Sequence, residues 1–428
     1  MKLPEEFLHF IWQFKLYGLQ PLYSESAELI EVIRCGELNK NAGPDFLYAK
    51  LIIAGTIWIG NIEIHVNSSD WLVHQHQHDV AYDNVVLHVV YVHDSPIYRS
   101  DGTLIPTLVL KDRFPADLLI NYEQLILSAN KFPCEKQIHQ VDKVFVANFL
   151  TRVAIERLVH KSEEVYEHLN GLKGDWDETF YHFLARNFGF KVNAAPMEML
   201  ARSMPQQILA KHKDHPMQIE ALLFGQAGFL AQKFTEAYPQ ALKQEYQFLQ
   251  KKYKLKPLNI SVWKFMRMRP QNFPSLRLAQ FAALIINSSH LFSKIIIVKD
   301  YKMVMQLFED LPINTYWKTH YHFNNRTDNV HLQLGKSSIH NIFINTVSLF
   351  LFAYGKYIDQ YILVDRAIEM QEQLPAENNA IIKQYVDAGV QVKDAYCAQA
   401  LLQLRQTYCN SKKCLTCGIG VKVLSLRK

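Results

Sequence analysis

NAGPDFLYAKLIIAGTIWIGNIEIHV, residues 41–66, decides how the first part of this chain folds. Two apolar runs, Phe46–Ala54 and Thr56–Val66, are separated by Gly55. Runs of this length, punctuated by glycine, read as two strands joined by a tight turn. Asp45 follows Gly43-Pro44 and opens the first strand, while Glu63 and His65 lie on the second. Residues two apart on a strand face the same side, so Glu63 and His65 point together. A hairpin closing through residues 54–56 brings Asp45 to their level. Two carboxylates held that close repel each other, and a divalent cation relieves the repulsion. Hard oxygen ligands favour magnesium or manganese, Mg2+ or Mn2+.

The flanking sequence extends the pattern. Upstream, Phe7, Phe10, Ile11 and Phe14 recur at helical spacing within residues 4–17, and Ala27–Arg34 reads as a strand. Downstream, Ser68, Ser69 and Asp70 are helix N-caps before the polar stretch Trp71–Asp79. Val85–Val92, rich in β-branched residues, is a buried strand, and further short strands are expected near 96–110. The order is helix, three strands, helix, strand.

Over about residues 1–100, this arrangement resembles the PD-(D/E)XK nuclease superfamily, with Pro44-Asp45 as its first element and Glu63-Ile64-His65 as its second. The resemblance implies an α+β protein whose restriction-endonuclease-like α/β core precedes a larger, mainly helical region. It also implies metal-assisted hydrolysis of phosphodiester bonds in DNA or RNA. Asp45 and Glu63 would be metal ligands, and Asp45, Glu63, His65 and a first-helix glutamate the catalytic set. That glutamate is Glu6 or Glu5, with Glu6 favoured. His65 departs from the family lysine, and fills its role only if protonated or by hydrogen bonding. The alternative is a catalytically inactive nuclease-like protein that binds nucleic acid without cleaving it. Asp after Gly-Pro is also a common turn residue, and a strand Glu is often simply solvated.

WLVHQHQHDVAYDNVVLHVV, residues 71–90, adds His74, His76, His78 and His88. On one helix His74 and His78 share a face at i and i+4, a spacing that binds a transition metal. They are assigned here to contact with a substrate phosphate. The plain alternative has His76 in solvent and His88 as a hydrogen-bonded core residue.

Of the 428 residues, 49% are apolar and 20% charged, which excludes disorder, collagen and coiled-coil rods and suits two or three domains. No apolar run reaches the ~18 residues of a membrane span. The start, MKLPEEFLHF, carries two carboxylates where an export signal needs a basic start and an apolar stretch. A cytoplasmic location is expected. Residues 1–100 hold 6 Lys/Arg against 12 Asp/Glu, and the remainder 40 against 29. An acidic site in the first part and an anion-binding surface in the rest follow.

From about residue 143 the chain reads as helical: Phe145–His168, Thr179–Phe188, Met197–Lys211, Met217–Phe234, Gln240–Lys252, Leu276–Leu291, Ile339–Phe352 and Asp394–Tyr408. Three regions are expected: 1–142, 143–393 and 394–428. Residues 246–299 contain ten Lys/Arg and no acid, with Lys264, Arg267, Arg269 and Arg277 interleaved with Tyr253, Trp263, Phe265 and Phe273. Cations for phosphates alternating with rings for bases are a footprint for nucleic acid. A solvated basic face is the ordinary alternative, and Arg267 and Arg269 packed on aromatic neighbours another. Pro257, Pro270 and Pro274 argue against a membrane-lying helix. The oligomeric state is not legible.

Cys409, Cys414 and Cys417 fall within YCNSKKCLTCGIG. Three thiols so close, two of them as Cys-x-x-Cys, signal a metal site. Zinc, Zn2+, is the first expectation, an iron–sulfur cluster the second, and buried thiols without metal the plain alternative. Cys397, twelve residues before Cys409, is ~18 Å away along a continuous helix and too far to share the ion. A remote residue such as Cys134 would complete the set. NAGPDF, GNIEIH, DWLVHQH, LHVVYVHD, EALLFGQAGFL, RMRPQNFPSLRLAQFA and the cysteine segment together resemble a bacterial family known as a domain of unknown function. That resemblance spans nearly the whole chain. It implies one protein containing both regions, and a cysteine set that excludes Cys397.

Overall fold

The computed structural model describes residues 3–288 and 290–426. Its contacts divide the chain into two units, Met1–Phe149 with Gln384–Val390 and Leu404–Lys428, and Leu150–Lys383 with Gln391–Gln403. The segment 394–428, expected to stand apart, is therefore split, its last part folding with the N-terminal unit. The reason is burial: Ile419, Val423 and Leu424 are buried, and so short a segment cannot enclose them by itself.

The first unit is built on a mixed sheet of β1 (Leu22–Tyr23), β2 (Leu29–Arg34), β3 (Glu37–Leu38), β4 (Phe46–Ile53), β5 (Thr56–Asn67), β6 (Val85–Val92) and β7 (Thr107–Val109). The order is β1-β2-β4-β5-β6-β7, with β3 also pairing β4. Neighbours are antiparallel up to β5, and β5, β6 and β7 run parallel. Residues 85–90 of β6 are all buried, as suits an inner parallel strand.

The β4–β5 hairpin closes with Ile53 opposite Thr56. Its two loop residues, Ala54 and Gly55, both have positive φ, 48° and 79°, as in the turns that match strand twist. Near its open end β4 bulges between Phe46 and Ala49, with Tyr48 at φ 58°. Arg34 Nε donates to the Tyr48 carbonyl at 2.9 Å and fixes the kink. On the other side, Gly60 lets β5 approach β6: a Cβ there would meet Val86 Cγ1 at 2.4 Å and the Asn84 carbonyl at 2.6 Å. The resulting register sets Glu63 beside His88 and His65 beside Val90.

Helix α1 (Glu5–Gln13) starts after Pro4, with two acids in its first turn. It buries Phe7, Leu8, Phe10, Ile11 and Trp12, and packs against β5. The expected helix 71–79 is shorter than its sequence implies. Helix α2 spans only Asp70–Val73, Gln75 takes φ 62°, and His76–His78 forms a separate 3-10 turn. Ser68 and Ser69 anchor its start through Asp94: Ser69 donates to that carboxylate from N at 2.8 Å and from Oγ at 2.6 Å. Trp71 then enters a core cluster with Tyr82, Val85, Ile97 and Ile105.

The second unit is mainly helical, with one small ribbon, His320–His322 against Asn325–Arg326. Its expected helices are present with physical breaks. Ala194–Ser203 and Gln206–Ala210 are separated at Pro205, whose nitrogen has no hydrogen to donate. Pro216–Gln226 stops short of Gly228, which has φ 83° and a backbone contact where a Cβ would meet the Leu258 carbonyl at 2.3 Å. A π-turn, Phe343–Val347, joins Lys336–Ile342 to Ser348–Tyr357. Trp176, Phe180, Phe292 and Phe350 form an aromatic centre with ring centroids 5.2–6.2 Å apart. Among the described residues no single helix is long and apolar enough to cross a membrane.

Glu220 is buried in this unit beside Tyr238 and Asn314, and burial pushes its carboxyl up to about 7. Its charged form is disfavoured by folding, so the stability it permits is full below pH ~4.5 and is lost as pH rises through about 7. Glu220→Gln is expected to remove that dependence. Denaturant unfolding of this variant and the parent at pH 5 and pH 8 should show a gap that shifts by about 3 kcal/mol in the variant's favour.

Candidate metal centre

Asp45 and Glu63 meet as the hairpin register dictates, across adjoining strands. The Asp45 N–H donates to Glu63 Oε2 at 3.1 Å, and the Ile64 N–H donates to Asp45 Oδ2 at 2.9 Å. Each carboxylate is thus gripped by the other strand's backbone. Glu63 Oε1 faces two imidazoles, with His76 Nε2 at 3.2 Å and His65 Nε2 at 3.5 Å. Asp45 Oδ2 lies 3.2 Å from His9 Nε2, on α1.

His65 is the centre of a histidine cluster. Its Nδ1 lies 2.9 Å from His88 Nε2 and its Nε2 lies 3.1 Å from His74 Nδ1. Ligand atoms of His65, His74 and His76 all fall within 4.8 Å of one another, a group able to hold a metal ion. Tyr82 stacks on the His76 ring at 3.8 Å, and Trp71 meets His76 and His88 edge-on at 5.4 Å. Those rings fix where His76 points.

The electrostatics follow from burial. Glu63 is pushed up to about 9, first by loss of solvent and then by Asp45. Burial and the neighbouring imidazoles of His88, His74 and His76 hold His65 well below its ordinary value. Burial lowers His88 to about 3 and lowers His76 as well. Burial works against the charge on His9, but Asp45 beside it raises that ring above its usual value. Imidazole nitrogens gathered in one space are ready transition-metal ligands. Among the described residues the buried ring nitrogens His76 Nε2, despite its approach to Glu63, and His88 Nδ1 complete no hydrogen bond, and an ion would satisfy the first. The donor set therefore fits a divalent metal held by His65, His74 and His76, with Glu63 beside two of them.

The structure brings together Asp45, Glu63 and His65, and beside them His74, which the sequence assigned to a substrate phosphate. It does not add Glu6, which is exposed, whereas Glu5 senses the charges of His74, Asp45 and His9. One residue along a helix is a rotation of about 100°, enough to exchange the two. His78 is outside the trio, because the chain leaves the helix at His74 and Gln75 turns it left-handed. His76, which only the plain alternative placed in solvent, takes its place. His9 was legible as the i+4 neighbour of Glu5.

In the second unit Lys264, Arg267 and Arg269 are exposed. Arg277 is not available to a ligand: it is buried, lies 4.4 Å above the Phe190 ring, and donates to Asn272, Gln280 and Ser338. Trp263 is equally internal, with its Nε1 donating to the Ala227 carbonyl at 2.8 Å.

Fold and site define a mixed α+β protein with a histidine–carboxylate centre on its N-terminal sheet. The chain belongs to the family of proteins of unknown function DUF2851, which matches residues 5–380. No curated protein and no solved structure matches it.

The trio is expected to bind one Mn2+, Zn2+ or Co2+ per chain. Isothermal titration should show His76→Ala weakening that binding by roughly tenfold or more, with His78→Ala close to the parent. Equal losses in both variants would contradict the geometry.

Proposed function

We propose that this protein is a metal-dependent phosphodiesterase acting on nucleic acid, with a restriction-endonuclease-like core in its first unit. The observation that carries the reading is the convergence of Asp45 and Glu63, from adjoining strands, beside three metal-competent histidines. The element order supports it: α1, antiparallel β2, β4 and β5, the short α2, then β6 parallel to β5.

His65, His74, His76 and Glu63 would hold the ion, with Asp45 beside them. Imidazole mixed with carboxylate suits manganese or zinc better than magnesium, so manganese is favoured over the magnesium that carboxylates alone would select. Bound there, the ion supplies Lewis-acid charge and a more acidic water. The chain's own groups do the rest. Asp45, held by the Ile64 N–H, orients the attacking water. His65, flanked by His88, cannot supply the positive charge of the family lysine and acts as a ligand instead. His9, beside Asp45, is the group able to hold or release a proton. The exposed Lys264, Arg267 and Arg269, in a stretch of residues 246–299 without an acid, favour a polyanionic substrate.

Purified protein is expected to cut single- or double-stranded DNA or RNA with Mn2+ and more slowly with Mg2+. Asp45→Asn and Glu63→Gln should each lower the rate roughly 100-fold or more, with circular dichroism unchanged. Cutting that survives Asp45→Asn defeats the enzymatic reading, and binding without cutting in every metal leaves the non-cleaving binder.

For the basic stretch, Lys264→Glu combined with Arg267→Glu should weaken nucleic-acid binding and lower the salt slope by about 2. Fluorescence anisotropy across a salt series measures both.

A further inference from the structure

The last cysteines are folded into the first unit. Cys409 closes a π-turn, Arg405–Cys409, a distortion frequent at functional sites. Its sulfur lies 3.3 Å from Tyr385 Oη. The Tyr385 ring stacks on Phe132, with centroids 4.3 Å apart, two residues before Cys134. Cys414 and Cys417 flank a tight turn: a Cβ at Gly420 would meet the Cys414 carbonyl at 2.3 Å. The Cys417 sulfur accepts backbone N–H groups from Ile419 and Gly420. The helix that follows, Gly418–Leu424, packs on the turn Ile138–Gln140, whose Ile138 N–H donates to the Cys134 carbonyl at 2.9 Å.

Cysteines from two distant parts of the chain therefore lie in one neighbourhood. Cys134, Cys414 and Cys417 are buried, Cys409 is half-buried, and none is in a disulfide. Cys134 senses the charge of each of the other three. Cys35 and Cys397 stand outside this group, each donating to backbone carbonyls, of Gln13 at 3.8 Å and Gln391 at 3.5 Å respectively.

We propose that Cys134, Cys409, Cys414 and Cys417 ligate an iron–sulfur cluster that fastens the C-terminal segment to the loop before Ile138. Spacing and size both select a cluster over a single zinc. Cys409-x4-Cys414-x2-Cys417 with a remote fourth cysteine is a ligand spacing of [2Fe–2S] proteins. Tetrahedral zinc at ~2.3 Å from each sulfur needs sulfurs ~3.8 Å apart. Among the described residues the histidine trio is the group whose ligand atoms all lie within 4.8 Å, and no three of these sulfurs do. Thiolates not gathered around one point suit a core of several irons bridged by sulfide rather than a single ion.

The test is elemental. The full chain, purified without oxygen, is expected to carry iron and acid-labile sulfide in equal amounts, with visible charge-transfer absorption. Cys35→Ser and Cys397→Ser should keep the full load, and Cys134→Ser and Cys414→Ser should lose most of it. Zinc without sulfide, no metal at all, or a full load in Cys134→Ser overturns the assignment. Because the cysteine variants can fail to fold, native alkylation of the parent chain provides a second reading. Cys134, Cys409, Cys414 and Cys417 should become reactive only after the metal is oxidised and chelated. Labelling that metal removal does not change also overturns it.

Discussion

The pair of cross-strand hydrogen bonds, from the Asp45 N–H to Glu63 and from the Ile64 N–H to Asp45, is the constraint on which the rest of the first unit depends. Each carboxyl group accepts an N–H from the strand opposite, and such bonds are worth roughly 0.5–1.5 kcal/mol apiece. They hold two acids where solvent would otherwise let them part. The hairpin turn at Ala54-Gly55, the bulge at Tyr48 and the close approach at Gly60 all serve one register, the one that levels Asp45 with Glu63 and Glu63 with His88. A slip of one residue would turn Glu63 to the other face of the sheet.

Around that pair the chain gathers more imidazole than a purely carboxylate site requires. Loss of solvent keeps His65 and His88 neutral, and the same loss makes the Glu63 charge costly. Neutral nitrogen donors beside an acid that resists ionisation are the combination on which the proposed metal site rests. Tyr82 and Trp71 supply the rigid walls.

Much of this architecture was legible in the residues. Alternation and glycine placement defined β4 and β5, and Asp45, Glu63 and His65 could be aligned by counting along a hairpin. What counting could not supply was the backbone departure at Gln75. A left-handed residue inside a polar stretch has no periodic signature, so the helix that would have paired His74 with His78 ends early and His76 swings in instead. Glu5 and Glu6 differ only in helical phase, which depends on the face of α1 that meets the sheet. Arg277 looked like its neighbours Arg267 and Arg269 because the half-buried Phe190 and the buried Ser338 that claim it are far away in sequence. Cys134 was nameable as a remote partner, but only tertiary folding brings it to Cys414 and Cys417.

The first unit is discontinuous: its sheet comes from residues before Phe149, and its closing helix from residues after Leu404. During translation, at roughly 5–20 residues per second, the sheet leaves the ribosome long before the segment that completes it. Throughout that interval the nascent chain exposes the apolar surface later covered by Ile419, Val423 and Leu424. Biogenesis thus imposes a period of vulnerability, in which a chaperone has something to hold and a premature stop leaves an unfinished product open to proteolysis.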